Sequence, residues 1–427
     1  MRKILVITYY WPPAGGPGVQ RWLKFVKYLP DFGFQPIVYI PENPTYPIVD
    51  KNLIDEVPEG IQILKQSIKE PYAWAGILSK KKTKTISSGI IEEKAPSVLE
   101  KLMLWIRGNL FIPDARKFWV KPSVKFLSKF IAEEGIDTII TTGPPHSIHL
   151  IGLGLKENLS IQWIADFRDP WTSIGYHKKL RLTTASKKKH KILEKEVLNM
   201  ADKVVVTSNT TKKEFEGITA KPIKTITNGF EGVTNSTQLD SDFTIAHIGS
   251  LLTGRNPKHL WKVLGELVLE NVDFAAKLKI RFAGVTGRET LLALKENGLE
   301  KYVQHLGYIS HNQVLDLQRK SQVLLLLEID SQETKGIIPG KLFEYLNAKR
   351  PILAIGPEGW EAGQMVEAIN AGVFYSKKEK EELKTVLLNW FEAFQKGELS
   401  CESKGIEQYH RKELTKQLAN FITWESS

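Results

Sequence analysis

The sequence of 427 residues has a single cysteine, Cys401. One thiol excludes an intrachain disulfide and a cysteine-rich zinc site, and it fits a reducing compartment. Long apolar runs are also missing. Nothing approaches the ~18 consecutive apolar residues of a membrane-spanning helix, and the longest compact run, Val323 to Leu327, has the length of a strand. Ile4 to Thr8 is too short for the apolar region of a signal peptide and runs straight into aromatics, prolines and glycines. The start therefore reads as the first strand of a cytoplasmic protein. There is no Gly-Lys-Ser/Thr phosphate loop, no Gly-x-Ser-x-Gly nucleophile elbow and no His/Glu set at zinc spacing. Asp240-Ser-Asp242 pairs two carboxylates, but in a polar linker before a strand, so no metal site is expected.

What is present is an ordinary globular composition, 42% apolar and 25% charged, with material for two to three domains at about 150 residues each. Short apolar or β-branched runs alternate with helix-length patterns. Ile4–Thr8, Pro36–Ile40, Thr138–Thr142, Gln162–Ala165 and Lys203–Thr207 form one set. Phe243–Ile248, Lys279–Ala283, Val303–Leu306, Val323–Leu327 and Pro351–Ile355 form a second. Such alternation predicts an α/β fold with mainly parallel sheets, in two similar halves. A stretch rich in turn formers, from Asn228 to Asp242, marks the boundary, giving domains at 1–235 and 236–405. The segment at about 71–121 interrupts the first set, carries the basic run Lys80-Lys-Lys-Thr-Lys, and reads as an insertion covering a cleft. The end of the chain, 406–427, contains an amphipathic helix pattern at Tyr409–Trp424.

The net charge of +11 is unevenly distributed. Through Asn235, 35 Lys and Arg stand against 23 Asp and Glu; after it, 24 stand against 25. An excess confined to the first half favours an anionic partner: a phosphate-bearing ligand, a membrane surface or a nucleic acid. No RNA- or DNA-binding motif accompanies the basic runs, so nucleic acid is not expected.

Five segments at strand ends carry candidate chemistry. Tyr9-Tyr-Trp-Pro-Pro-Ala-Gly-Gly-Pro-Gly-Val-Gln-Arg21 joins a strand to a helix, and Gly15 and Gly16 let a ligand approach the backbone. It is not the dinucleotide fingerprint, because Arg21 stands where the third glycine belongs. Thr141-Thr-Gly-Pro-Pro-His-Ser147 places His146 at a strand end, as a cleft residue or as a hydrogen-bonded spacer. Trp163-Ile-Ala-Asp-Phe-Arg-Asp-Pro-Trp171 crowds Asp166, Arg168 and Asp169 together. These three either orient and deprotonate a hydroxyl or form an internal salt-bridge network. Ile248-Gly-Ser-Leu-Leu-Thr-Gly-Arg-Asn-Pro-Lys258 offers Gly249 and Ser250 for close approach to a phosphate, with Arg255 or Lys258 to neutralise it. Gly336 to Pro351 contains Lys341 and Glu344, three apart and so on one helix face. They suit a diphosphate and a ribose diol, or a plain surface ion pair.

Taken in order, these segments resemble the GT-B-fold glycosyltransferases, particularly the retaining family-4 type (glycosyl transferases group 1), over nearly the whole chain. Tyr10-Trp-Pro-Pro with Gly-Gly-Pro-Gly-Val-Gln-Arg is similar to that family's amino-terminal glycine loop. Asp166-Phe-Arg-Asp-Pro-Trp171 resembles its Asp-x-Trp-Pro segment, and Ile226-Thr-Asn-Gly-Phe230 its hinge. His247-Ile-Gly-Ser-Leu, His305-Leu-Gly-Tyr-Ile-Ser310 and Lys341-Leu-Phe-Glu-Tyr-Leu-Asn-Ala resemble three elements of its donor domain. Three departures stand out. Gly336 occupies the position of the first of the family's paired glutamates, and Ser250 that of its arginine. In place of the family's active-site histidine there is an aspartate, Asp166 or Asp169.

The resemblance implies two Rossmann-like domains facing across a cleft, with the final helix crossing back to the first. It implies a nucleotide sugar bound by the second domain, a glycan or lipid-linked acceptor bound by the first, and no metal or other cofactor. Glu344 then holds the ribose, and Lys341 with Arg255 neutralises the diphosphate, assisted by the Gly249 and Gly15–Gly16 backbones. Asp169 or Asp166, with His146 and Arg168 nearby, serves the acceptor. The basic first half adds an anionic membrane surface as an expected partner, with the protein peripheral on its inner face, in envelope polysaccharide or glycolipid synthesis. The alternatives are a nucleotide-sugar epimerase of the same fold and a non-catalytic nucleotide-sugar- or glycan-binding protein.

Overall fold

The structure, a computed structural model, describes residues 1–70, 98–175, 177, 180–232, 237–252, 254–376 and 380–424. The basic run at 80–84 and most of the expected insertion, 71–97, lie outside the described residues. The chain folds as two units: Met1–Asn228 together with Arg411–Ser427, and Gly229–His410.

The first unit is built on seven parallel strands: β1 (Arg2–Ile7), β2 (Phe34–Pro41), β3 (Gln62–Gln66), β4 (Thr138–Gly143), β5 (Gln162–Phe167), β6 (Lys203–Val206) and β7 (Ile223–Thr225). Their order is β3-β2-β1-β4-β5-β6-β7. The central strands are apolar at consecutive positions because both faces are covered. Leu5, Ile7, Ile139, Trp163 and Ala165 pack into the core on one face. Ile4, Val6, Ile140 and Ile164 pack into the core on the other. Each such side chain contributes about 1.5–3 kcal/mol by leaving water.

The second unit repeats the plan with six parallel strands: β8 (Phe243–Ile248), β9 (Leu278–Ala283), β10 (Val303–Gly307), β11 (Val323–Leu327), β12 (Ile352–Ile355) and β13 (Gly372–Tyr375), in the order β10-β9-β8-β11-β12-β13. All ten strands expected from the sequence are present, within one or two residues at most ends. The three not expected, β3, β7 and β13, are edge strands. An edge strand has neighbours on one side only and needs no continuous apolar run; Gln62–Gln66 and Ile223–Thr225 keep no residue fully buried.

The carboxyl-terminal helix, Arg411–Thr423, belongs to the first unit. Leu414, Leu418, Ala419, Phe421 and Ile422 join the same core as the helix Pro17–Tyr28. Its far end is anchored by Lys203, 5% exposed, whose Nζ donates to the carbonyls of Phe421 (2.9 Å), Ile422 (2.9 Å) and Trp424. The last carbonyls of a helix have no partner within it and carry its negative dipole end, so a buried cation satisfies both needs. Replacing Lys203 by Met strands these acceptors. We expect amide hydrogen exchange in 411–423 to accelerate by the equivalent of about 1–3 kcal/mol; unchanged exchange there would show that the apolar contacts alone hold the helix.

Candidate functional site

In both units the candidate residues lie where parallel strands end, the edge at which open α/β sheets bind ligands. In the first unit the chain leaves β1 through the glycine loop. Gly16 precedes the helix Pro17–Tyr28 with φ 108°, which only glycine adopts without strain. Gly18 is constrained differently: a Cβ there would lie 1.6 Å from Nη1 of Arg168. Arg168 is thus pressed against the loop while its Nε donates to the Gly143 carbonyl (3.2 Å) and its Nη2 to the Pro144 carbonyl.

Asp166 and Asp169 have different environments. Asp166 is 1% exposed and accepts from Nη2 of Arg21 (2.9 Å), Nε1 of Trp22 (2.7 Å) and Oγ1 of Thr142 (2.8 Å). Its two oxygens tie the end of β5 to β4 and to the helix of the glycine loop. Arg21, equally buried, also donates to the Thr227 carbonyl (2.7 Å). Asp169 is half-buried and has no hydrogen-bond partner among the described residues. Burial raises its pKa above the ordinary carboxylate value, and Arg168 opposes the shift. Of the two, Asp169 presents a free basic oxygen.

His146 is 2% exposed and stacks on Trp171, rings parallel at 4.8 Å. Neither ring nitrogen has a partner. Burial, followed by the neighbouring His149, lowers its pKa well below the usual value, so the ring is neutral. His149, His177 and His190 lie around it, yet no group of three side chains among the described residues is placed to hold a metal ion.

In the second unit glycines stand at the ends of three adjacent strands. Gly249, Gly284 and Gly307 have φ of 110°, 121° and 63°. Gly249 N donates to the Ala283 carbonyl, and Gly284 N to that of Gly307, each at 2.7 Å. A Cβ on Gly284 would lie 2.6 Å from the Gly249 oxygen. Gly284 and Gly307 were not among the sequence candidates; their signal is one glycine immediately after each apolar run. Lys341, first residue of the helix Lys341–Ala348, reaches this bare rim. Its Nζ donates to the Ile248 carbonyl (2.9 Å) and would lie 3.7 Å from a Cβ on Gly249. Burial, with the Arg255 charge, pushes its pKa down to about 7.

Glu344, one turn along that helix, accepts from Nε2 of Gln318 (3.0 Å) at one oxygen, and its other oxygen has no hydrogen-bond partner among the described residues. Ser250 is exposed. Arg255 is held in a two-point pair by Glu328, Nε to Oε1 at 3.0 Å and Nη2 to Oε2 at 3.3 Å. Arg255 and Lys258 line a cavity of about 370 Å³ with Glu328, Asp330 and Tyr375, beside Lys341 rather than over it. The structure therefore brings Gly249 and Lys341 into contact and sets Arg255 near enough to shift the lysine, while Lys258 stands apart on the cavity wall. Asp240, in the linker, is paired with Arg281 at 2.5 Å.

No protein-family model matches the chain, and no curated protein matches it by sequence. Solved structures do match it in fold. Sucrose-phosphate synthase from Thermosynechococcus elongatus is 12% identical with a TM-score of 0.61, over 99% of this chain and 98% of that one. HepE from Anabaena, in complex with UDP-glucose, is 14% identical with a TM-score of 0.61, over 99% and 100%. A putative UDP-N-acetylglucosamine 2-epimerase from Listeria monocytogenes is 11% identical with a TM-score of 0.55, over 98% and 95%. The chain has the GT-B fold, two Rossmann-like α/β units with a final helix on the first.

The contrast between the two aspartates is testable. Asp166→Ala leaves Arg21 buried without its partner and should lower stability by about 3–5 kcal/mol in denaturant unfolding. Asp169→Asn should leave the unfolding free energy within about 0.5 kcal/mol of the parent. Equal losses would remove the distinction.

Proposed function

We propose that this chain is a glycosyltransferase that moves a sugar from a nucleoside-diphosphate sugar to an acceptor hydroxyl. We read it as retaining, metal-independent and hexosyl-transferring. One observation carries the reading: a lysine aimed at a rim of side-chain-free strand ends, with its charge left poorly compensated, and a carboxylate one turn further along the same helix. In this reading the Gly249 backbone receives the diphosphate, Lys341 and Arg255 stabilise the negative charge that develops on it as the sugar leaves, and Glu344 accepts from the ribose hydroxyls. Asp169 orients or deprotonates the acceptor. Asp166, which accepts from three donors, holds the glycine loop instead.

The acceptor side of the proposal is a glycan or lipid-linked molecule at an anionic membrane surface, in envelope polysaccharide or glycolipid synthesis. No helix among the described residues is long and apolar enough to cross a membrane. The helix Val98–Leu110 supports contact with a surface: Leu99, Leu102 and Trp105 are 65%, 52% and 39% exposed on a segment that also carries Lys101 and Arg107. Binding to vesicles containing anionic lipid should be strong at low salt and lost at high salt; no binding at low salt removes the membrane from the proposal.

UDP-glucose, the ligand in the HepE structure, is the first donor to test, beside GDP- and TDP-sugars, by ligand-induced melting shift. A positive donor gives a pH signature. Free Lys341 titrates at about 7. A bound diphosphate raises that pKa, so the protonated lysine is the binding form. Affinity is therefore full below pH 7 and falls about tenfold per unit above it, until the pKa of the complex is reached. Lys341→Met should lose the slope along with the affinity. A parent protein with flat affinity from pH 6 to 9 would take Lys341 out of the site. A new sugar formed from donor alone, without acceptor, would replace the transferase by the epimerase.

A further inference from the structure

A basic concavity of the first unit is not accounted for by any of the residues above. Between the end of β5 and the helix Thr184–Met200 lies a cavity of about 280 Å³, lined by Thr172, His177, Arg181, Lys187, His190 and Lys191. His177 and His190 are buried at its base; Arg181, Lys187 and Lys191 are exposed at its mouth. None of the three cations has an ion-pair partner among the described residues.

Two details fix how the cavity is held. His190 is 1% exposed, and its Nδ1 accepts from the indole N–H of Trp171 at 3.1 Å. An indole only donates, so Nδ1 is unprotonated and the ring proton sits on Nε2. That Nε2 is buried against the Gly108 backbone, so the ring is a structural part of the cavity's base. Burial and the adjacent His190 push the His177 pKa down to about 4. The rings are neutral at pH 7, and the positive charge resides in the three side chains at the mouth. The carboxylate at hand, Glu194, is occupied: it accepts from the Thr172 N (2.9 Å) and Oγ1 (2.6 Å), and burial raises its pKa. Arg181 itself has φ 51°, a conformation costly for a side chain of its size.

The cavity has two neighbours. Trp171, which orients His190, is the ring on which His146 stacks. On the other side the segment before the helix packs on the end of Val98–Leu110. Asn109 accepts from the Thr183 N (2.7 Å) and donates to the Arg181 carbonyl (3.2 Å), and a Cβ on Gly108 would lie 2.7 Å from the Leu180 carbonyl. The concavity thus sits between the exposed apolar helix and the His146–Asp169 edge.

We propose that this cavity binds a phosphate-class oxyanion, the phosphate or pyrophosphate that joins the acceptor to its lipid. Arg181, Lys187 and Lys191 supply the charge. The assignment of the anion to the acceptor rests on the transferase reading; the site itself does not.

The probe is inorganic pyrophosphate, titrated calorimetrically into the full chain. The background is Lys341→Met, which silences the lysine of the second unit. Pyrophosphate should bind with an affinity that falls as salt rises. The triple substitution Arg181→Gln, Lys187→Gln, Lys191→Gln should weaken it at least tenfold, with an unchanged circular-dichroism spectrum because all three are exposed. No binding, or equal binding by the triple variant, overturns the site. Sedimentation with vesicles containing phosphatidylglycerol separates the sources of the anion. A parallel loss in the triple variant is expected for a phosphate presented by the membrane. Vesicle binding that stays intact while pyrophosphate binding is lost assigns the anion to a soluble molecule and overturns the lipid assignment. Nucleotide-sugar binding by the unsubstituted chain reads the transferase proposal separately.

Discussion

A parallel sheet covered on both faces leaves one place for polar chemistry, the edge where its strands end. Backbone groups within the sheet are paired, and side chains above and below it are packed. At the carboxyl edge the chain must turn and its backbone is no longer covered by packed side chains, so a ligand can approach it closely there. Both units obey this constraint. β8, β9 and β10 end in Gly249, Gly284 and Gly307, so nothing but backbone stands there. β1 ends in a glycine loop, and β4 and β5 end in the segments that carry His146 and Asp169.

Electrostatics distinguishes the groups that hold this edge from those left available on it. A buried charge is tolerated when it is paired and hydrogen-bonded, as Asp166 is: guanidinium, indole and hydroxyl donors converge on its two oxygens. Lys341 is the opposite case. It has one carbonyl acceptor, a cation nearby and a depressed pKa. Stability alone favours an apolar residue at that position, so the lysine's presence is better explained by an anionic ligand than by the fold. His146, neutral with two unused nitrogens beside a tryptophan, is a second instance of polarity that the fold does not use.

The central strands were legible because burial on two faces writes an uninterrupted apolar run, as in Val323–Leu327. The final helix was legible from its spacing. Three of the four edge strands were not, Val303–Gly307 being the exception: Gly372–Tyr375 is four residues long and only partly buried, so its composition differs little from that of a loop. The site was legible as segments rather than as contacts. Spacing grouped Asp166, Arg168 and Asp169, but which aspartate is consumed by the fold depends on Arg21 and Trp22, some 145 residues earlier in the chain. The same holds for Arg255, whose pairing with Glu328 crosses 73 residues and left no local pattern. The cavity at Arg181 was legible only in part: Lys187, His190 and Lys191 belong to the basic run Lys187-Lys-Lys-His-Lys, but Arg181 comes from the preceding turn and the base is set by a tryptophan–histidine bond.

The Arg255–Glu328 pair bears on the position where the resemblance fails. Ser250 leaves the rim without the expected arginine, and Gly336 leaves it without a carboxylate. Glu328 does not replace the latter, since it is 5% exposed, accepts at two points from Arg255 and also takes the Ile329 amide at 2.8 Å. Its effect is on Arg255: it fixes the guanidinium near Lys341 before any ligand arrives. A guanidinium so held keeps further N–H groups for an anion, and little side-chain entropy remains to be lost on binding. In the proposed reading, Arg255 and Lys341 are two cationic donors held close together on one unit, with Glu328 offsetting part of their charge, and Gly336 supplies no carboxylate for the sugar.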